Sequence, residues 1–328
     1  MDLREQACWL LLVYESGLTS RIVNCIIRTW RKQLGRSLQE FFEADAQEWQ
    51  KVPELKPEMM QKLERAKEKR LAQGFLAERL DNEQVRMVTV LDPAYPALLK
   101  SALDLTHIPP ILFVKGDLQL LDRRTIAIIG SRNASATSLD FTKTTAQMLA
   151  QQGANIISGN ARGVDRTAYE GATSVPEGHT TVVLPHGMSK LSKVQMRGLQ
   201  PKIEAGNVLV ISQFHPDAQW VVSRAMERNK VVTGLAQIVI VAESDTKGGT
   251  WEGAKSALKL KRQVYVRQSD GTSLPGNEAL MQQGCSPLAW PDDNIEASLM
   301  PIFKKSGAIQ RKQQARSVPA EQQSLFAS

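Results

Sequence analysis

The chain has 328 residues, 42% of them hydrophobic and 23% charged, a composition that excludes a disordered or fibrous protein and allows about two domains. Its formal charge of +7 and pI near 9.3 suit an acidic partner such as nucleic acid. Cys8, Cys25 and Cys285 lie far apart with no CxxC pair, which points to reduced, buried thiols in a cytoplasmic protein and away from zinc or a disulfide framework. The apolar run 9–14 is too short to span a membrane, and it follows Asp2, Arg4 and Glu5, unlike a cleaved leader.

Residues 1–80 read as a small all-helical domain of the SAM or helix-hairpin kind. Apolar residues recur at helical spacing over 3–16, Gly17 breaks the pattern, and Thr19 can cap a second helix through Leu34. Further helical pieces are expected over 37–42 and 57–72, the latter ending at Gly74. From Val85 the composition changes. A strand VRMVTVL precedes the rigid turn DPAYP, and IPPILFVKG leads through another strand into a glycine turn. Short apolar strands then alternate with helices, with strands expected near 125–129, 155–158, 180–184, 207–212, 237–242 and, as the last, 263–266. The intervening helices are expected at 136–152, 164–171, 191–200, 219–229 and 250–259. That alternation predicts an α/β fold, a Rossmann-like doubly wound and mostly parallel sheet, over residues 81–300. Residues 301–328 are expected to form a flexible basic tail; from 304 on they hold five basic side chains and one acidic, with many Gln, Ser and Ala.

In such a sheet ligands bind beyond the carboxyl ends of the strands, and the informative loops fall there. TIAIIGSRNAS, residues 125–135, is a strand, a Gly-led turn and a helix start, with outward N–H groups and a helix dipole that favour a phosphate. Gly130, Ser131, Arg132 and Ser135 are the candidates there, Arg132 as a two-pronged phosphate grip. The loop lacks GxGxxG spacing, which disfavours a dinucleotide; no cofactor is expected. SGNARGVD adds Ser158, Gly159, Arg162 and Gly163, with Asp165 read as a helix cap. RAMERNK adds Arg228, Asn229 and Lys230, a turn at Asn229 aiming the two cations at the cleft. KGGTWEGA adds Gly248, Gly249 and Thr250, with Thr250 a candidate N-cap and Trp251 read mainly as core. His107, His179, His186 and His215 fall in different loops, and no HExxH, GxSxG or P-loop ending occurs. His186 is best placed for chemistry but reads as a loop hydrogen-bonder. No catalytic or metal-ligating set is expected.

YPALL, PPILFVKG, AIIGSRNAS, SGNARGVDRTA, RAMERNK, GGTWEGA and PGNEALMQQGC, in that order over about residues 85–290, resemble the DNA-processing protein A (DprA/Smf) family. The resemblance implies a Rossmann-like domain that binds single-stranded DNA, acts as a homodimer and delivers strands to RecA. It places the DNA cleft at Gly130, Ser131, Arg132, Ser158, Gly159, Arg162, Arg228, Asn229 and Lys230. Tyr169 stands where the family commonly has histidine, Gln213 where it has glutamate, and Lys230 where it has a second arginine. The tail replaces the winged helix that many members carry. Its QQSLF, with Gln322, Leu325 and Phe326, looks like the pentapeptide that docks replication proteins on the DNA sliding clamp.

The leading expectation is therefore a non-enzymatic binder of single-stranded DNA in DNA processing and recombination. A nucleotide sensor or nucleoside-monophosphate-cleaving enzyme of the same superfamily is the first alternative, because GGTWE has the look of that group's glycine-rich loop. An adaptor between DNA and the clamp is the second.

Overall fold

The computed structural model describes residues 1–268, 274–290 and 294–317, with side chains to residue 306 in the last stretch. The chain divides into two compact units, the first running from Met1 to Val114 and the second beginning at Lys115.

In the first unit, α1 (Leu3–Leu10) is capped by Asp2, whose carboxylate accepts the Glu5 N–H at 2.8 Å. The helix runs on to Glu15 with wider i→i+5 bonding, and Gly17 ends it at φ +61°. α2 (Ser20–Ile26) continues in the same way to Gln33. Ser37 and Glu40 form a capping box for α3 (Leu38–Glu43), and the buried Glu5 carboxylate accepts the Leu38 and Gln39 N–H groups at 3.0 and 3.1 Å. With the short α4 (Ala46–Trp49), these helices enclose Trp30, Phe41 and Trp49; the Phe41 ring lies 5.2 Å from Trp30 and 5.4 Å from Trp49.

Gly74 does not end a helix. α5 (Pro57–Lys67) stops earlier, and α6 (Arg70–Asn82) carries Gly74 in its interior, where burial of Leu76, Ala77 and Leu80 outweighs the poor propensity of one glycine. β1 (Arg86–Thr89), α7 (Ala97–Ala102) and β2 (Ile111–Lys115) complete the unit, the strands pairing antiparallel with Arg86 opposite Val114. The unit thus takes in more than the helical residues 1–80. Buried Asn24 donates to the Leu105 and Ile108 carbonyls at 2.8 and 3.1 Å, tying α2 to the loop before β2. The Tyr95 hydroxyl, from YPALL, donates to Pro109 at 2.8 Å, and burial pushes its pKa up.

The second unit contains β3 (Thr125–Ile129), β4 (Asn155–Ser158), β5 (His179–Val183), β6 (Val208–Ser212), β7 (Ile238–Val241), β8 (Gln263–Arg267) and β9 (Ser286–Leu288). They lie parallel in the order β6-β5-β4-β3-β7-β8-β9, with Ile126 between Ile156 and Ile238. β9 extends the sheet past the strand expected to be last. At three residues with a proline in the middle, it is too short to show a period in the sequence. The chain winds outward from β3 in one direction, then returns to β7 on its other side, so the switch point lies between β3 and β7.

α8 (Ala136–Gln151) and α9 (Val164–Thr173) cover one face, and Ile126, Ile128, Phe141, Leu149, Ile156, Val164, Ile238 and Ile240 form the core beneath them. α14 (Ile295–Ser317) joins this face through Leu299, Ile302 and Phe303. Residues 301–317, read as tail, are therefore helical: three apolar side chains at helical spacing anchor the start, and the rest is rich in good helix formers. Residues 318–328, with Gln322, Leu325 and Phe326, lie outside the described residues. α11 (Val222–Leu235) packs over β3–β5, and α12 (Gly249–Lys259) over β7 and β8. α10 (Lys193–Glu204) lies beside β6, and α13 (Pro275–Gln282) beside β8.

No helix among the described residues is long and apolar enough to cross a membrane. Cys8 and Cys285 are buried, and burial pushes each thiol up to about 11.

Candidate nucleic-acid interface

A cleft of about 290 Å³ opens at the carboxyl ends of β3 and β7, at the switch point. One wall is Gly130, Ser131 and Arg132 with Arg162; the other is Lys247, Gly248, Gly249 and Thr250 at the start of α12. Arg228 and Asn229 line its floor, and Trp220 and Val222 its rim. Among the described residues no group of side chains is arranged to hold a metal ion.

The Gly-led turn after β3 is held by its neighbours. Ser131 N–H donates to the Glu243 carbonyl at 2.9 Å, and Val164 N–H to the Ser131 carbonyl at 3.2 Å. Gly163 has φ +83°, and a Cβ there would run into the Ser131 and Arg132 carbonyls. Arg162 Nε donates to the Arg132 carbonyl at 3.3 Å, and its Nη2 to Asn133 Oδ1. Both arginines are exposed, and neither forms an ion pair among the described residues.

The expected phosphate corner at the α8 N-terminus is already filled. Glu243, just past β7, accepts from the Ser135 N–H at 3.0 Å, the Ser135 hydroxyl at 2.7 Å and the Ser138 hydroxyl at 2.6 Å. Burial alone would raise its pKa, but these bonds and the Arg267 charge hold the carboxyl below its ordinary range. Ser135 is thus the α8 N-cap and an anchor for Glu243, not a lining residue of the cleft. Any anion must use Arg132 and the α12 side instead.

Glu243→Gln should destabilise the fold by about 1 kcal/mol at neutral pH, the upper part of the range for a charge at a helix end, since the carboxylate is partly exposed. A depressed folded pKa contributes stability above the unfolded value, and that contribution is lost as pH falls through the folded one. Thermal melts of wild type and variant should therefore differ at pH 7, begin to draw together near the usual glutamate value of about 4.3, and converge only below the depressed folded one. A gap that persists unchanged in acid would contradict this role.

Arg228 departs most from expectation. α11 continues without a turn at Asn229, so Arg228 and Lys230 project in different directions, and Lys230 does not line the cleft. Arg228 is 4% exposed; its Nη1 donates to the Val183 carbonyl at 3.2 Å and lies 3.6 Å from Asp165 Oδ2. A Cβ on Gly159 would fall on the Arg228 guanidinium, so only glycine fits above it. Asp165 is not the α9 cap, a place Gly163 takes; its carboxylate accepts the Gly159 N–H at 3.1 Å and faces Arg228. Burial raises the Asp165 pKa, an effect Arg228 offsets, and burial lowers that of Arg228. Ser158 is fully buried. The structure brings the expected loops together at the cleft, but Ser158, Gly159 and Gly163 do not line it. Arg228 Nε is buried with no acceptor among the described residues.

On the far wall Gly248, at φ +91°, is the N-cap of α12, and Thr250 is already inside the helix. Asn229 Nδ2 donates to the Gly249 carbonyl at 3.1 Å, joining α11 to this turn. Buried Asn277, from PGNEALMQQGC, accepts the Ser244 N–H at 2.8 Å and donates to the Ala242 and Arg267 carbonyls, fixing the end of β7. Trp251 is half-buried beside Lys255, and His186 bonds to the Gly187 carbonyl at 2.9 Å, away from the lining.

Trp220 is the residue the sequence reading missed. α11 begins at Val222, so Trp220 and Val221 precede it and stand 46% and 40% exposed. The Arg132 guanidinium lies 5.5 Å from the Trp220 ring centroid. The signal was present: QWVVS puts three apolar residues in succession at a helix start, and one helical face cannot bury all three.

A doubly wound parallel sheet with a cation-lined cleft at its switch point is a Rossmann-like fold, and the cleft lies where such sheets take their ligands. The family model for DNA recombination-mediator protein A matches residues 86–298, and the chain belongs to that family. Protein Smf of Escherichia coli (strain K12) is 31% identical over 195 residues, 58% of this chain and 51% of that protein. DNA processing protein DprA of Streptococcus pneumoniae is 31% identical over 199 residues, 60% of this chain and 68% of that protein. The match thus spans about half the length of the Escherichia coli relative. Among solved structures, DNA processing protein A of Streptococcus pneumoniae superposes with TM-score 0.66 at 24% identity, covering 88% of this chain and 94% of that one. DNA processing protein A of Helicobacter pylori, solved for its single-stranded DNA binding mode, gives TM-score 0.56 at 27% identity over 67% and 96% of the two chains.

Proposed function

We propose that the cleft binds single-stranded DNA without cleaving it. The observation that carries this reading is the pairing of exposed Arg132 with the exposed face of Trp220 at one rim, which offers a phosphate and an unpaired base adjacent partners. A duplex stacks its bases on one another and leaves none for Trp220. The net charge of +7 and the single-stranded DNA binding described for the Helicobacter pylori relative support the same reading. Against nucleotide cleavage, Glu252 is exposed, lies 3.5 Å from Lys255 and does not line the cleft. Dimerisation, delivery of strands to RecA and clamp docking through Gln322, Leu325 and Phe326 are further proposals that extend this one.

The test is binding of labelled oligo-dT against a salt series. Wild type should lose affinity steeply as salt rises, and the Arg132→Ala/Arg162→Ala double variant should bind at least about tenfold more weakly, given the worth of hydrogen bonds to charged groups. The slope of log K against log salt should become shallower by about 1.4, from 0.7 per lost contact on a single strand. Unchanged affinity in the double variant would overturn the reading.

A further inference from the structure

A row of cations leads away from the cleft. Arg162 stands at its mouth, and Arg166, in the first turn of α9, reaches back to Asn160 Oδ1 at 3.4 Å. On the same helix, Tyr169 is buried with its ring 5.3 Å from the Arg166 guanidinium. The Lys202 ammonium, from α10, lies at the same 5.3 Å distance from that ring. Two cations on different helices are thus held against one tyrosine, at the position where the family commonly has histidine. Glu170 pairs with Arg166 at 2.7 Å on the exposed surface, while Lys202 forms no ion pair among the described residues. Burial and the Arg166 charge both lower the Lys202 pKa, more than the Glu170 charge raises it.

Building on the single-stranded DNA reading, we infer that Arg166 and Lys202, supported by Tyr169, form a second phosphate-binding step that carries the strand out of the cleft across α9 onto α10. Tyr169 is too buried to stack on a base, so this step reads the backbone only. It sets how long a strand the protein covers, while the cleft holds the first nucleotides. Arg162 links the two, bonded to the Arg132 carbonyl on one side and preceding Arg166 by one helical turn's worth of residues on the other.

The experiment measures affinity for fluorescein-labelled oligo-dT of 6 and 20 nucleotides across a salt series. Wild type should prefer the 20-mer. In Arg166→Ala/Lys202→Ala, 20-mer binding should weaken about tenfold and its salt slope fall by about 1.4, two contacts at 0.7 each. The 6-mer should stay within about twofold. Glu170→Gln, which removes the competing carboxylate, should tighten the 20-mer about twofold. Unchanged 20-mer affinity and slope, or equal loss for both lengths, would overturn the second step while leaving the cleft intact. Wild type that binds neither oligonucleotide would instead remove the single-stranded DNA reading on which the step rests.

Discussion

Arg228→Ala is expected to cost about 3–5 kcal/mol of stability, the range for removing one member of a buried ion pair. The guanidinium is almost wholly buried, so its loss leaves Asp165 without the charge that offsets desolvation. A void also opens against Gly159 and the end of β5. The variant should carry a pH signature. Burial already raises the Asp165 pKa, and without Arg228 it rises further. A carboxyl whose folded pKa exceeds its unfolded value loses stability as pH climbs from the unfolded pKa through the folded one. The deficit should therefore be larger at pH 8 than at pH 5, as read by urea titration at each pH. Pairing the change with Asp165→Asn, which leaves no buried charge, should recover part of the loss. An Arg228→Ala protein within about 1 kcal/mol of wild type, well below that buried-pair range, would show that the pair does not hold the cleft floor.

Trp220→Ala is expected to weaken oligo-dT binding about tenfold, since stacking one base on an aromatic side chain is worth about 1–3 kcal/mol. Trp220→Phe keeps a ring and should retain most of the affinity. Stability should hardly change, because the side chain is nearly half exposed before substitution. The salt slope should also stay unchanged, which separates loss of a stacking surface from loss of a phosphate contact. Duplex binding should be indifferent to the change. Equal losses for single strand and duplex, or a shallower slope, would contradict base stacking at this residue.

The fold was legible because its elements obey simple periods. The apolar runs at 125–129, 155–158 and 237–242 alternate with helical stretches as buried parallel strands do, and the glycine-bearing loops after them mark their carboxyl ends. The cleft's location followed from that topology. What stayed hidden depends on contacts distant in sequence. Nothing near Arg228 announces Asp165, sixty-three residues earlier, so a buried arginine looked like a surface cation. Nothing near Ser135 announces Glu243, so a helix start that already holds a carboxylate looked vacant. The Asn229 turn was inferred from a cluster of polar residues in α11, but burial of Val231, Val232 and Leu235 keeps the helix unbroken. Trp220 reads as helical in the sequence because helix boundaries blur by about one or two residues, whereas α11 begins only at Val222.

Glu243 fastens the end of β7 to the start of α8 across the point where the winding reverses. The two halves of the sheet therefore cannot part there to admit a ligand, and the β3–β7 seam acts as a fixed anvil. The stretch between β6 and α11 that carries Trp220 is tied instead to the loop after β5, where the Gly187 and Ser189 N–H groups donate to the Ala218 and Pro216 carbonyls at 2.9 and 3.0 Å. On the single-stranded DNA binding we propose, the seam would hold the backbone in register while Trp220 meets the bases from the other side.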